Sequence, residues 1–540
     1  MVKKTITHLI FLFCLIAQVI PVIRSGTSIE NGIGFWGPNG HDGVWHLALI
    51  NQINNPFVIN MPIFSGEILK NYHPFFDIFI AYISKITSIP PSYLLFQIFP
   101  IISAFFYLFF SFKIGKLITK SDKGGLILIL LNTVNTSFGW VINYQNHHNF
   151  EGESLFWSMQ SPSNQLNPPL VFSLVLLLII IYILISNSKT LSKLNLIYIS
   201  LILILLPVIK AYSAIPAFII FFVYIIKTKR YYKTFLLSLF LSIVLFAQFN
   251  KNSSSLLVWQ PFWFVRSLFE STDRLYFPRF TSLAHSTVLK QIIFYTFGIP
   301  IFLIGNYAFR LLAVFNKPKH SWFYTSLWFS AILLTALPLF FVQTGTGWNT
   351  IQFLYYAIFL LNIPLAHYLT TVNIFVPLFI ITVQLIPLFA SFPQYVDKNP
   401  PAFLPNTEIK CLNYLKQLPS AIILTYPHNP YLKSKMTTPI PLYAYETTSY
   451  VSAYSKQITY LADEMNLTNS GYDWKTRRQN SDKFFLQQNI YQDRGFLLNN
   501  QIDYIYLAGS QISLFNFDFS NLFIKSVFQN QDCQIYKILK

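Results

Sequence analysis

The chain has 540 residues, 53% of them hydrophobic and only 11% charged, with a mean hydropathy of +0.46. That balance excludes a single ordinary soluble domain. The 38 Lys and Arg against 20 Asp and Glu leave a net charge of +18, but the positive charge is strewn among apolar runs rather than gathered on a wettable face, which excludes a nucleic-acid binder.

Apolar stretches near the roughly 20 residues needed to cross hydrocarbon recur from position 5 to position 392. They predict eleven transmembrane helices, at about 5–24, 92–112, 124–140, 168–185, 194–210, 212–227, 232–248, 290–312, 321–342, 350–368 and 371–392. The first follows Lys3 and Lys4 as the core of a signal peptide would, but Ser25 and Gly26 form no convincing cleavage site, so it is read as an anchor. Three cysteines, Cys14, Cys411 and Cys533, allow one disulfide at most.

The loop 25–91 is long for a connector. At its centre stands GPNGHDGVWHLALINQI, 37–53, where Gly-Pro and Asn-Gly favour a turn and Asp42 opens a short amphipathic helix with Trp45 and Leu49 on the membrane. Asp42 reads either as a helix cap or as a carboxylate at the membrane surface that takes a proton from, or orients, a substrate hydroxyl. His41 and His46 flank it at a spacing of five, which does not share a helix face, so hydrogen bonding fits them better than zinc. Glu67, His73 and Asp77 follow as further polar candidates. The segment 73–86, HPFFDIFIAYISKI, is apolar enough to pass for a span, yet Asp77 and Lys85 suit an interfacial helix on the outer surface, ended by Pro90-Pro91.

The loop 143–169 carries His147, His148, Glu151 and Glu153. They read as metal ligands without a recognised zinc spacing, as a polar re-entrant loop, or as a wall around a sugar. Lys210, at the end of PVIK, either snorkels to the outer surface or meets a phosphate. Arg266, Arg274 and Arg279 lie among tryptophans and tyrosines in 249–289 and could share that phosphate. In QTGTGWNTIQFLYY, 343–356, Asn349 caps the next helix or lines the same outer cavity; no Walker lysine follows.

Residues 393–540 hold 25 of the 58 charged residues and form an expected soluble α/β domain, with strands at 421–426, 457–462 and 503–508 and a helix near 405–418. The expected division is therefore 1–392 for the membrane domain, including the outer loop 25–91, and 393–540 for the soluble one. With the amino terminus in the cytoplasm, 15 of the 24 basic residues before 393 fall in short inner loops, Arg310 among them, and eight of the nine acids face outward. The positive-inside rule is then satisfied and the C-terminal domain is extracytoplasmic.

This order of features resembles the GT-C superfamily of integral-membrane glycosyltransferases, in particular the bacterial branches related to protein mannosyltransferases and lipid A aminoarabinose transferases. GHDGVWHLALI at 40–50 looks like the family's acidic first-loop segment, YHPFFDIFIAYISKI at 72–86 like its membrane-surface helix, and Ser92 to Lys120 like the following span and basic inner turn. The tail segments 443–464 and 501–510 look like the outer tail of GT-C-like proteins. The resemblance implies a sugar transferred with inversion from a polyprenyl-phosphate or diphosphate donor to a glycan, lipid or protein acceptor on the noncytoplasmic side of a cell membrane. Carried over by position, Asp42 is the catalytic carboxylate and Lys210 and Arg266 bind donor phosphate; the reading of the loops themselves adds His41 beside Asp42, and His46, Glu67, His73, Asp77, His147, His148, Glu151, Glu153 and Asn349 as substrate contacts. One Asp stands where some branches have paired acids, which leaves a divalent metal open. The competing classes are a transporter or flippase for lipid-linked sugars, which the many spans permit but few intramembrane acids support, and a membrane assembly scaffold.

Overall fold

In a computed structural model the described residues are 2–151, 155–156, 161–251, 257–316, 322–343, 347–487, 490–514 and 523–539. Chain compactness divides the molecule differently from 1–392 and 393–540. A helical unit comprises Met1–Pro21, Pro100–Gln248 and Asn252–Pro393, and a mixed unit comprises Val22–Phe99, Phe249–Lys251 and Gln394–Lys540. The first loop thus folds with the C-terminal segment.

Among the described residues nine helices are long and apolar enough to cross a membrane: Lys4–Ile23, Pro91–Thr119, Pro168–Ser186, Lys193–Thr228, Tyr232–Phe249, Val288–Phe315, Trp322–Phe340, Asn349–Thr371 and Phe375–Val396. A tenth joins Asp122–Val134 and Gly139–His147 across a 43° bend. Such a break strands carbonyls in an apolar medium, where each must find a donor. Arg310 supplies it: Nη2 donates to the Asn135 carbonyl at 2.7 Å, Nη1 to the Thr136 carbonyl at 3.2 Å and Nε to Asn362 Oδ1 at 3.1 Å. Arg310 is therefore buried in the bundle and is not the inner-loop residue the charge count took it for.

The helix Lys193–Thr228 has 36 residues with Lys210 extended inside it (φ −163°, ψ 101°). A straight helix of that length would run about 54 Å. Yet Leu191, just before it, donates its amide to the Tyr231 hydroxyl just after it, at 2.8 Å. Tyr224 near its end likewise reaches the Asn187 carbonyl at the close of Pro168–Ser186 (2.7 Å), whereas Lys210 reaches Asn167 at that helix's start (3.4 Å). The chain turns back at Lys210, and two arms of roughly equal length lie along Pro168–Ser186.

The mixed unit holds two sheets. In the first, the hairpin Thr27–Ile29 and Gly32–Phe35 is continued by Ala402–Pro405, antiparallel to Gly32–Phe35, and then by Ile440–Pro441, parallel to it. In the second the order is Ile524–Gln529, Cys533–Ile538, Tyr504–Ala508, Ile422–Thr425, Ile458–Thr459; the first three strands are antiparallel and the last three parallel. Tyr504–Ala508 is central and buried along its whole length, as a strand covered on both faces should be. The helix Asn406–Lys416 contributes buried Cys411, Leu412 and Leu415, and Cys411 is disulfide-bonded to Cys533.

Candidate active site

The segment Gly37–Gly40 forms a single 3-10 turn with Pro38 in its first positions. The Asn39 amide holds the Trp36 carbonyl at 2.8 Å and the His41 amide that of Pro38 at 3.0 Å. The chain then enters the helix Asp42–Gln52, with Asp42 in the first turn and His41 as the flanking residue, and no side chain caps it. Asp42 is thus a first-turn acid favoured by the helix dipole rather than the cap. The helix is not the interfacial one expected either: Gly43 to Ile50 are all buried, Trp45 and Leu49 included. It packs tightly because Gly43 has no Cβ; one built there would stand 2.5 Å from the Phe96 ring.

His41 lies between two carboxylates. Its Nδ1 meets Asp42 Oδ1 at 2.7 Å and its Nε2 meets Asp463 Oδ1 at 3.1 Å. Asp463 is buried, while the Asp42 side chain is 55% exposed. Burial alone would discharge the imidazole, but the charges and hydrogen bonds of Asp463 and Asp42 outweigh it and raise its pKa well above the ordinary histidine value. With both ring nitrogens protonated the group donates to both acids. Asp463 is held in turn by the Asn466 amide side chain at 2.8 Å. The line ends in an accessible carboxylate of fixed orientation, suited to accept a proton or align a hydroxyl.

His46, four residues after Asp42 and so on the same helix face, forms a second pair, Nδ1 to Asp77 Oδ1 at 2.7 Å. Asp77 is fully buried on the helix Phe75–Thr87; burial raises its pKa and His46 only partly counters this. That helix ends at Ser88 in the left-handed region and leaves Ile86 exposed. Tyr72 accepts from Trp45 Nε1 at 3.2 Å, and His73 packs on Tyr72 with ring centroids 4.8 Å apart. Glu67 sits on the turn after Gly66, beside Tyr472 and Arg477, a different set of partners from those of Asp42.

The remaining candidates belong to the helical unit. His147 ends the helix Gly139–His147 and His148 follows it in the left-handed region, both exposed. Glu151 is held through its amide by Asn149, and Glu153 lies outside the described residues. Asn349 falls inside the helix Gly347–Thr371 rather than at its cap and accepts from Gln352 at 3.3 Å. Lys210 is buried at the chain reversal. Arg266 on Trp263–Glu270 donates to the Pro261 carbonyl at 3.2 Å and the Tyr295 hydroxyl at 3.0 Å. Among the described residues no group of three or more His, Cys, Asp and Glu is placed to hold a metal ion.

Asp463 is the residue that sequence reading missed. Its signal was present: an acid just past the strand-like run QITYLA, where the carboxyl ends of parallel strands gather ligands.

No protein-family model and no curated protein matches the chain. Among solved structures, the mycobacterial arabinofuranosyltransferase AftD superposes with a TM-score of 0.51 at 10% identity, over 99% of this chain and 41% of its own. At this identity the likeness is one of fold alone. The oligosaccharyltransferase of Archaeoglobus fulgidus gives a TM-score of 0.47 at 12% identity, over 92% of this chain and 68% of that one. ArnT from Cupriavidus metallidurans gives 0.40 at 8% identity, over 99% and 98%. The chain thus spans less than half the length of the mycobacterial protein.

Proposed function

We propose that this chain is a membrane glycosyltransferase that moves a sugar from a polyprenyl-phosphate or diphosphate donor to an extracytoplasmic acceptor. The observation that carries the reading is the line Asp463–His41–Asp42, which presents one accessible, oriented carboxylate at the start of a buried helix. The fold likeness supports it. In the reaction the acceptor's O–H oxygen attacks the anomeric carbon, the bond from that carbon to phosphate oxygen breaks, the lipid phosphate leaves with the electron pair, and Asp42 takes the acceptor proton. The configuration inverts. His41 and Asp463 hold Asp42 in place, and His46 with Asp77 stiffens the same helix face. Lys210, buried at the chain reversal, and Arg266 are kept as the donor-phosphate candidates.

Counting the reversal at Lys210 as two crossings and the bent pair as one gives eleven spans among the described residues, a count that puts the mixed unit outside when the amino terminus is inside. The Cys411–Cys533 bond supports that side, because disulfides persist in oxidising compartments.

The test is reconstitution in lipid vesicles with a panel of polyprenyl-linked sugars, with and without EDTA, reading donor loss and released lipid phosphate by mass spectrometry. Consumption that D42N abolishes is the expected result. Sugar lipid that changes leaflet without being consumed would replace this reading with transport.

A further inference from the structure

The carboxyl ends of the parallel strands Ile422–Thr425 and Ile458–Thr459 open into a cleft in the mixed unit, enclosing about 550 Å³ of empty space with its open mouth included. One wall is Asp463, the residue that grips His41, followed by Glu464; Tyr426 and Tyr443 offer half-buried rings. Two hydroxyls lining the cleft are deeply buried, Thr448 at 8% and Ser481 at 1% exposure. Neither Thr448 Oγ1 nor Ser481 Oγ has a hydrogen-bond partner among the described residues, and His428 Nδ1, from the same lining, shares that condition. Buried polar groups are ordinarily satisfied, so three unsatisfied ones in residues that line a single cleft mark a place suited to a polar guest.

We propose that this cleft binds a sugar residue. A sugar offers hydroxyls that both donate and accept, matching Thr448, Ser481 and His428, and a C–H face that lies against tyrosine rings. The carboxylates in the lining disfavour an anion, so the phosphate of a donor lipid belongs elsewhere. Glu464 is already neutralised by Arg478 at 2.7 Å, which keeps the cleft polar without a large net charge. The occupant is a neutral sugar of the acceptor, held beside the residue that orients Asp42. The choice of a sugar rests on the transferase reading; the observation of unsatisfied hydroxyls does not.

The experiment is a titration of the full chain in nanodiscs with neutral oligosaccharides built from hexoses, pentoses and N-acetylated amino sugars, followed by saturation-transfer NMR. Wild type and D42N should bind the same sugar equally, and T448V and S481A should each weaken it roughly two- to tenfold, the loss of one neutral hydrogen bond. The two substitutions are nearly isosteric and on different elements, so a folding defect in one leaves the other readable. A free oligosaccharide that persists against polyprenyl-phosphate sugar belongs to the acceptor; displacement by it assigns the same cleft to the donor's sugar. No sugar bound across the panel, equal binding by both variants, or binding of an unglycosylated peptide in its place overturns the proposal. Sugar binding through Thr448 and Ser481 without donor consumption sinks the transferase reading alone. Asp42-dependent consumption with unaltered variants sinks the cleft alone.

Discussion

His41 divides its two ring nitrogens between an open carboxylate and a buried one. If Asp42 accepts the proton, D42N loses turnover by at least about 100-fold while its melting temperature stays near that of wild type, because the side chain is half solvated. The ion line also sets a pH dependence. The pKa of His41 is raised in the folded state, so its contribution to stability is complete below about pH 6.5 and is lost as pH rises through the folded value. The melting-temperature gap between wild type and H41Q should therefore be widest near pH 6 and narrow in alkali; a gap that widens with pH would mean that His41 is neutral. Asp42 and His41 were visible in the sequence as an acid and a histidine just past a Gly-Pro-Asn-Gly turn. Asp463 was visible only as an acid after a strand-like run, and nothing local to HDG specifies its pairing with His41. The expected membrane-facing role of Trp45 and Leu49 failed for a related reason: an amphipathic stripe shows that a face must be covered, and does not say whether lipid or protein covers it.

Within single elements, Glu408 on the helix Asn406–Lys416 is buried against the central strand, where Tyr506 donates to it at 2.6 Å. Burial pushes its pKa up to about 7. Its neutral form is favoured on folding, so stability falls as pH rises from about 4.5 to 7 and stays lower above, by about 3 kcal/mol. Chemical denaturation should find E408Q more stable than wild type at pH 8 and equal to it near pH 4.5. The helical reversal makes a separate prediction. L191C with Y231C should be bridged by a short thiol crosslinker in membranes, an outcome that a straight 36-residue helix does not allow. The split at Lys210 was readable, since a lone cation amid some 34 apolar-rich positions cannot sit mid-bilayer cheaply. The break at Asn135 was read through as one span because its compensation comes from Arg310, 175 residues away.

Across the whole chain, alternating runs of hydrophobicity and the placement of lysines were enough to find the helical unit, whereas the sheet joining Gly32–Phe35 to Ala402–Pro405 was hidden. Short strands carry no address for partners so distant. The disulfide fastens the far end of that mixed unit across 122 residues, and a loop of this size is worth up to about 5 kcal/mol of denatured-state entropy. C411S/C533S should lower its melting temperature by several degrees, with vesicle-bound sugar binding as the folding check. The same long-range pairing governs when the site comes into being. His41 and Asp463 stand 422 residues apart, so at a synthesis rate of about 5–20 residues per second His41 leaves the ribosome some tens of seconds before its partner. Throughout that interval His41 lacks its contact with Asp463. If Asp42 accepts the proton, a stalled or prematurely released chain meets the lipid pool with the Asp463–His41–Asp42 line unassembled, and activity waits on the last quarter of translation.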